Sequence, residues 1–383
     1  MTVNASSGDA ASAQLCRLLG TRFALIQAPM AGVQNHALAL AVSREGALGS
    51  LPAALLSPAQ LEQELQALRA GLSNGLNEGL PQQAAPLPYN LNFFCHTPAQ
   101  ADLAAEQAWR QALAPYHTQY GIDASSIPAG AGRAPFSEAL AEVIEPFRPP
   151  VLSFHFGLPA PALLRRAKSW GAVILSSATS VEEGLYLQAH GADIVIAQGL
   201  EAGGHRGHFL SDELSQQQGL FSLLPQLVQA LRVPVVAAGG IASAQGVAAA
   251  LALGAAGVQV GTAYLRCDEA RTSAVHRQAL ASPDARHTAL TRLFTGRPAR
   301  GIVNRLMRDL GPLSPLAPAF PMATAALAPL RAAAEAQGLA DFTPLWAGQN
   351  TSGCQALPAA EVTRQLLRGL LSFPASPASK ATA

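Results

Sequence analysis

The sequence predicts an α/β protein built on a TIM (β/α)8 barrel with a second, smaller, mainly helical domain. Eight short apolar runs recur between residues 25 and 262, and many of them are separated by helical patterns. The runs are continuously apolar rather than alternating in polarity, which is typical of parallel strands buried on both faces. Polar and glycine-rich motifs follow the runs, at the positions where such a barrel carries its active site.

The predicted strands share a short apolar stretch that ends near a glycine or a polar residue. The spacing from Phe154 to Leu175, and from Leu175 to Ala197, holds one strand, one helix and two short loops. An open doubly wound sheet also alternates strands and helices, but a count of eight favours the barrel. The strands are LIQAP (25–29), GALGS (46–50), YNLNFF (89–94), VLSFHF (151–156), AVILSS (172–177), DIVIAQ (193–198), PVVAAGG (234–240) and GVQVGT (257–262).

Two of the intervening helices have recognisable boundaries. Ser180 begins one helix and forms a capping box with Glu183, three residues later. Ser243 and Gly254 bracket another helix. The uncharged stretch 233–265 is therefore interpreted as strand, helix and strand rather than a membrane span, because glycines and polar residues interrupt it where turns fall.

The domain division follows the point at which the strand–helix rhythm stops. Residues 15–265 form the predicted barrel, and residues 266–345 form the smaller, mainly helical domain over its mouth. Residues 346–375 return the chain to that mouth and add a closing helix, and the tail 376–383 is expected to be disordered. The predicted loops are 71–87 and 123–136.

Composition excludes several classes of protein. The 383 residues include 25 Lys and Arg against 24 Asp and Glu, which argues against a nucleic-acid or polybasic membrane-surface protein. Hydrophobic residues make up 49%, enough for a large core. Cys16, Cys95, Cys267 and Cys354 lie far apart, so neither a metal site nor a disulfide framework is expected. The first residues show no signal-peptide pattern, so we expect a cytoplasmic protein without membrane attachment. We also expect it to be a monomer or homodimer.

Glycine turns after the last strands predict a phosphate site. Gly239-Gly240 and Gly261-Thr262 lie where TIM barrels bind phosphate, because glycine lets backbone N–H groups approach an anion. Gly203 and Gly204 add a third glycine turn after the sixth strand. The alternative interpretation is that these glycines only shape tight turns.

A phosphate-bearing cofactor that lies across the barrel mouth, such as flavin mononucleotide (FMN), fits this arrangement. No GxGxxG dinucleotide fingerprint follows the first strand. Asn92, Gln198 and Gln259 lie on three of the strands and offer amide groups to a ring rich in donors and acceptors.

Two histidines are candidates for catalysis. His155, at the C-terminal end of an apolar strand, is suited to act as a general base or as a cation that attracts an anionic substrate, although a core histidine is the alternative. His205, in the GGHRG loop, is expected to face the barrel mouth or to hold that loop. His96 fits a loop-packing role, and Cys95 is interpreted as a structural thiol.

Taken in order, six motifs resemble the nitronate monooxygenase family, class I, formerly called the 2-nitropropane dioxygenases. The resemblance covers roughly residues 20–350, and SFHFGLP with EAGGHRG is its most specific part. The motifs are QAPMAG (27–32), NLNFFCHTP (90–98), SFHFGLP (153–159), QGLEAGGHRG (198–207), AAGGI (237–241) and QVGT (259–262).

The resemblance implies a barrel that binds FMN non-covalently and oxidises alkyl nitronates with O2 by a radical course, releasing nitrite and a carbonyl compound. Propionate 3-nitronate is a typical substrate of such enzymes. His155 matches the family's active-site histidine, which takes the α-proton of a neutral nitroalkane or orients an ionised nitronate. The residues expected by motif to contact FMN or to pass beside its ring are Ala28, Pro29, Met30, Asn92, Gln198, Gly203, Gly240, Gln259, Val260, Gly261 and Thr262.

One departure from the family pattern and two alternative functions stay open. Val33 replaces a glycine that commonly ends the first motif, which leaves substrate preference in doubt. An NAD(P)H-dependent flavin reductase, acting on a quinone or an enoyl thioester, shares the GGH loop, whereas His155 favours nitronate chemistry. A non-catalytic sensor of a phosphorylated ligand is the third possibility.

Overall fold

A computed structural model describes residues 7–74, 87–98, 100, 102–127 and 133–371 of the chain. Its first nine strands include the eight predicted ones, each of which overlaps an observed strand. The largest shift is in the second, predicted at 46–50 and observed at Gly49–Pro52. The strands are β1 (Leu25–Gln27), β2 (Gly49–Pro52), β3 (Tyr89–Phe94), β4 (Val151–His155), β5 (Val173–Ala178), β6 (Ile194–Gln198), β7 (Gly204–His205), β8 (Val235–Ala238) and β9 (Gly257–Val260).

Eight parallel strands close into a barrel. Their order is β1-β9-β8-β6-β5-β4-β3-β2, and the two ends of this sheet meet at a parallel bridge between Ile26 and Leu48. There the Leu48 N–H donates to the Leu25 carbonyl and the Gln27 N–H donates to the Leu48 carbonyl, both at 2.9 Å. The TIM barrel is confirmed, and the open doubly wound sheet is excluded because the ring has no free edge between β1 and β2.

Helices cover the outside of the barrel and its amino-terminal end. Leu15 and Leu19 on the first helix pack with Ile26 and Leu48 beneath the strands. The last helix, Ala359–Leu371, packs against the helices His36–Arg44 and Ala244–Ala252, which flank the first and last strands. The helices of this layer are α1 (Ser7–Leu19), α2 (His36–Arg44), α3 (Pro58–Asn74), α5 (Glu138–Ile144), α6 (Pro161–Ser169), α7 (Val181–Ala189), α8 (Leu220–Ala230), α9 (Ala244–Ala252) and α13 (Ala359–Leu371), with α4 (Leu103–Gln119) described below.

The helix boundaries agree with the sequence in part. Ser243 caps α9 by accepting from the Gly246 N–H at 3.3 Å, and Ser180 caps α7 by accepting from the Glu183 N–H at 3.2 Å. A capping box also needs a hydrogen bond from the Ser180 backbone N–H to the Glu183 side chain, and this bond is absent among the described residues. The Glu183 carboxylate is buried and accepts instead from Thr179 and from the backbone N–H of Phe209, which ties α7 to the loop after β7.

The second, smaller region combines helices with a small antiparallel sheet that the sequence did not predict. It contains α10 (Ala274–Ala281), β10 (Thr288–Thr291), β11 (Ala299–Ile302), α11 (Arg305–Leu310) and α12 (Ala323–Ala336). β11 pairs with β10 on one side and with β7 on the other, so Ala299 lies opposite His205. The helix α4, counted with the barrel in the sequence, packs on α12, where the Trp109 indole N–H donates to the Ala323 carbonyl at 3.1 Å.

Several sequence predictions concern parts of the chain that the structure describes only in part. Residues 75–86, 128–132 and 372–383, which include the expected tail and parts of both predicted loops, lie outside the described residues. The stretch 233–265 forms β8, α9 and β9, as expected. Within the described ranges, no helix combines the length and apolar character needed to cross a membrane.

Candidate active site

A large cavity opens at the carboxyl ends of the barrel strands. Residues at or just beyond the carboxyl ends of β1, β3, β4, β5, β6, β8 and β9 line it, and residues 346–350 cover one side. The structure brings fourteen sequence-predicted site residues together here. They are Ala28, Pro29, Met30, Asn92, His155, Gln198, Gly203, Gly204, His205, Gly239, Gly240, Gln259, Gly261 and Thr262.

Val260, expected from its motif to contact FMN, does not line the cavity. Side chains alternate along a strand, so inward-facing Gln259 and Gly261 leave Val260 pointing outward. Its side chain is buried among the residues between barrel and helices, including Leu25 and Val258. Its carbonyl accepts from the Ala28 N–H at 2.8 Å, which positions the segment after β1.

The Val33 side chain is accommodated at the cavity wall. It packs against the buried cluster that contains Leu265, and its carbonyl accepts from the Arg271 N–H at 2.7 Å. The preceding Met30 N–H donates to the Gln34 side-chain carbonyl at 2.9 Å. The loop after β1 therefore keeps an ordered path beside the cavity with valine in place of the usual glycine.

The glycine turns after β6, β8 and β9 meet residues 346–350. The Gly348 N–H donates to Thr262 Oγ1 at 2.9 Å, and the Asn350 amide donates to the Gly240 carbonyl at 3.1 Å. A Cβ on Gly203 would lie 2.5 Å from the Ala347 carbonyl carbon, so this glycine is required for close packing of the two segments. A Cβ on Gly204 would meet nothing within 4 Å.

Two buried polar atoms in the cavity wall lack a hydrogen-bond partner among the described residues. One is Gln259 Oε1, on β9, and the other is Nε2 of His276, on α10. The His276 ring bonds to the backbone of Trp346, and burial lowers its pKa to about 4, so the ring is neutral at pH 7. Unsatisfied buried polar atoms are costly, which makes both atoms suited to a bound polar ligand.

The sequence did not identify His276 as a site residue. It lies on a helix of the second region, outside the strand ends on which the sequence argument rested, and no local motif surrounds it. Only the fold of the second region over the barrel mouth brings His276 to the cavity.

The Gln198 side chain holds the loop that carries His205. Its amide N–H donates to the His205 carbonyl at 2.9 Å, and its side-chain carbonyl accepts from the Gly207 N–H at 2.7 Å. The Asn92 amide N–H donates to the backbone and hydroxyl oxygens of Ser153, at 3.2 and 3.0 Å. Both amides are therefore fixed by the protein at the cavity wall.

His155 is oriented by two hydrogen bonds at the end of β4. Nε2 lies 3.1 Å from the His205 carbonyl, and Nδ1 lies 3.2 Å from the Ser177 hydroxyl. Because a carbonyl only accepts, Nε2 carries the proton, and Nδ1 of the neutral ring accepts from Ser177. A Cβ on Gly207 would lie 2.8 Å from His155 Cε1, so the ring packs directly on that glycine.

The surroundings of His155 disfavour its protonated form. Burial is the main cause, and it lowers the pKa of His155 to about 3. The cationic Arg297 and Arg206 lower the pKa further, whereas the hydrogen bond to the His205 carbonyl raises it. The ring is therefore neutral near pH 7. Of the two roles inferred from sequence, this favours a base over a permanent cation.

His205 contributes both its ring and its backbone. Its Nε2 lies 2.9 Å from Thr295 Oγ1, and its carbonyl receives the bonds from His155 and Gln198. The pairing of β7 with β11 holds this backbone in place. Burial, with the charge of Arg133, lowers the pKa of the ring well below its ordinary value.

Phenylalanines form an apolar wall next to the histidines. Phe94, Phe156 and Phe320 are buried together, and the Phe94 ring centroid lies 6.0 Å from that of His155. The His96 ring bonds to the Arg133 carbonyl at 2.8 Å. This contact gives His96 the loop-packing role expected from sequence.

Cys95, next to the phenylalanine wall, shows no sign of activation. Burial raises the pKa of its thiol well above the ordinary value, so the thiolate is disfavoured. The described residues also contain no cluster of three or more potential metal ligands.

The fold and site define a class of protein: a TIM-barrel enzyme with its polar groups at the carboxyl ends of the strands. Residues 12–369 match the sequence profile of the family described as nitronate monooxygenase. The chain is 40% identical over 358 residues to the nitronate monooxygenase of Paraburkholderia phytofirmans, covering 93% of this chain and 94% of that protein. It is 37% identical to the nitroalkane oxidase of Streptomyces ansochromogenes, with a TM-score of 0.83, covering 94% of this chain and 98% of that one.

The chain belongs to the nitronate monooxygenase family. It is accordingly an oxidoreductase of a flavoenzyme family that acts on a small molecule. FabK from Thermotoga maritima has a TM-score of 0.66 but only 23% identity, over 97% of both chains. That likeness concerns the fold alone, so the reductase alternative has weaker support than nitronate oxidation.

Proposed function

We propose that the protein uses FMN to oxidise alkyl nitronates of the propionate 3-nitronate type with O2, releasing nitrite and a carbonyl compound. Membership of the family supports oxidation of nitronates as the reaction. The observation that carries the proposal is the neutral His155 ring, held between Ser177 and the His205 carbonyl at the cavity wall.

The residues in the cavity fit an FMN cofactor. Gly239-Gly240, just ahead of α9, and Gly261-Thr262 would hold the phosphate through backbone N–H groups. Gln259 Oε1 and His276 Nε2, both without partners among the described residues, would accept hydrogen bonds from polar groups of the cofactor. Residues 28–30 would pass beside the flavin ring. When bound, the flavin supplies the electron acceptor for the nitronate and the route to O2.

His155 is proposed to act on the substrate through Nδ1. The neutral ring has its lone pair there, shared with the Ser177 hydroxyl, so it takes the α-proton of a neutral nitroalkane once that hydroxyl turns away. An ionised nitronate brings negative charge beside the ring, which raises the pKa of His155 and favours a protonated ring that holds the anion. Phe94 keeps water from one side of this contact.

The purified protein is expected to be yellow, to lose its colour on denaturation, and to consume O2 while releasing nitrite from propionate 3-nitronate. Free FMN identified in the denatured supernatant would distinguish it from other flavins. Anaerobic bleaching by NADH, with no reaction on adding a nitronate, would support the reductase alternative. The cytoplasmic location and the monomer or homodimer stay predictions from sequence, to be tested by fractionation and light scattering.

A further inference from the structure

An arginine that belongs to none of the six sequence motifs lines the cavity. Arg133 follows the glycine-rich stretch before α5, and its side chain is part of the wall that also contains Phe94 and His205. Its guanidinium makes no hydrogen bond or ion pair with any described residue. Burial lowers its pKa to about 10, so the group is still a cation at neutral pH. The residue is half-buried, and a cation that is partly removed from water without a counter-charge is costly to a fold.

The backbone around Arg133 is fixed to the end of β3. The His96 ring donates to the Arg133 carbonyl at 2.8 Å, and the Phe136 N–H donates to the Phe94 carbonyl at 2.8 Å. The guanidinium carbon lies 5.8 Å from the centre of the Phe320 ring, a cation–π contact that orients it. Arg133 is therefore presented to the cavity by an anchored segment.

The position of Arg133 separates it from the proposed phosphate site. The glycine turns follow β8 and β9, whereas Arg133 is attached at β3. In the ring of eight strands, β3 lies four strands from β8 in either direction. The cation thus faces the cavity from the side opposite the phosphate turn of Gly239-Gly240.

Arg133 is also set apart from His155. The centroid of the Phe94 ring lies 6.0 Å from that of the His155 ring and 6.3 Å from that of the Phe320 ring. The Arg133 guanidinium lies over the Phe320 ring. A substrate with its reactive carbon at His155 would extend along these rings before it reached Arg133. A group placed there belongs to the far end of the substrate.

We propose that Arg133 binds a second anionic group, a carboxylate, at the end of the nitronate's carbon chain, and thereby sets the preference for carboxylated over uncharged-tail nitronates. This inference rests on the proposed function. The planar fork of a guanidinium matches the two oxygens of a carboxylate, and the pair removes the cost of the uncompensated cation. The neighbouring phenylalanines limit the access of water to the contact, which strengthens it.

The kinetic test compares two nitronates of matched length, propionate 3-nitronate and propyl-1-nitronate, which has a methyl group in place of the carboxylate. Arg133→Met is expected to lower kcat/KM for the first by about 10²-fold, mainly through KM, and for the second by less than about 3-fold. Arg133→Lys keeps the charge but not the fork, so an intermediate loss is expected. Arg165→Met, which removes an exposed arginine on α6, is the matched control.

The equilibrium test uses calorimetry on the flavin-loaded protein with succinate and butyrate, which carry a carboxylate in place of the nitronate. The wild type is expected to bind succinate more tightly, Arg133→Met to lose that difference and Arg165→Met to retain it. In the kinetic test, equal losses of kcat/KM for both nitronates in Arg133→Met would overturn the proposal, since Arg133 would then hold the nitronate group itself. If the wild type oxidised neither nitronate, the proposed function would fail, while the succinate and butyrate affinities would still decide the role of Arg133.

Discussion

At the scale of single residues, the site depends on which nitrogen of His155 carries the proton. The His205 carbonyl accepts from Nε2, so the lone pair lies on Nδ1, where the only described partner is the Ser177 hydroxyl. A hydroxyl rotates at little cost, whereas a backbone carbonyl in a paired strand does not. The bond from Nε2 to the His205 carbonyl therefore fixes the ring, while the Ser177 hydroxyl can rotate away from Nδ1. This arrangement suits a ring that takes up and releases a proton at Nδ1.

Replacement of His155 tests this assignment. His155→Asn is expected to keep the yellow colour, because the residues proposed to hold FMN are untouched. Its kcat/KM with neutral nitroalkanes should fall by a factor on the order of 10², the scale of a lost positioned acid–base group. Anaerobic stopped-flow reduction of the flavin by a neutral nitroalkane measures the rate of proton abstraction together with the electron transfer that follows it. His190→Asn, at an exposed position on the loop after α7, should behave as wild type, and unchanged kinetics in His155→Asn would remove the ring from the mechanism.

At the scale of elements, the strand ends could be predicted but the loops that complete the site could not. Strands β3 to β6 are mainly apolar runs, so their ends, with Asn92, His155 and Gln198, follow from the sequence. β10 and β11 have four residues each, TALT and ARGI, with no apolar run, and their pairing with β7 joins distant parts of the chain.

Dependence on contacts between distant parts of the chain also explains why the sequence motifs missed two further cavity residues. His276 lies on a short helix of the second region, and Arg133 lies in a glycine-rich loop. Both reach the cavity only through tertiary packing, which leaves no periodic signal in the sequence.

Gly207 shows how a loop element constrains a strand-end side chain. Its φ lies outside the left-handed region, so alanine is allowed by the backbone, but the added Cβ would sit 2.8 Å from His155 Cε1 and 3.0 Å from Ser177 Cβ. The imidazole would have to move and lose its bond to Ser177.

Gly207→Ala is expected to bind FMN, to lose about 1–3 kcal/mol of stability through overpacking, and to lower kcat/KM for nitronates by about 10-fold or more. Gly246→Ala, on α9, is the control, because its Cβ would meet ordinary contacts at 3.6 Å. Denaturant unfolding and steady-state assays measure the two effects. A fully active Gly207→Ala would show that the ring position near Ser177 is not needed for turnover.

At the scale of the whole molecule, the second region covers part of the barrel mouth and completes the wall of the cavity. β7 leaves the loop after β6 to pair with β11, and residues 346–350 hydrogen-bond to the turns after β8 and β9. His155 and His276 line this cavity, and the side chains of His208 and His276 are buried. The packed interior therefore holds several histidines that are neutral at pH 7.

These histidines predict a pH dependence of stability. Burial lowers the pKa of His155 to about 3 and those of His208 and His276 to about 4 in the folded protein, against about 6.5 when unfolded. Between pH 6.5 and 4 the unfolded chain binds more protons than the folded one, so the free energy of unfolding rises with pH there. The stabilisation is present above pH 6.5 and is lost as the pH falls, by up to about 1.4 kcal/mol per pH unit for each ring.

Denaturant unfolding of the cofactor-free protein between pH 7 and 5 measures this slope, above the range in which most carboxylates titrate. His276→Asn is expected to reduce the slope by up to one proton, whereas Gly246→Ala, which removes no titratable group, should leave it unchanged. The slope is the informative quantity, because it is independent of any uniform loss of stability caused by the substitution. A slope of zero in the wild type would mean that the cavity admits water and protons freely, and that its histidines titrate as they do in the unfolded chain.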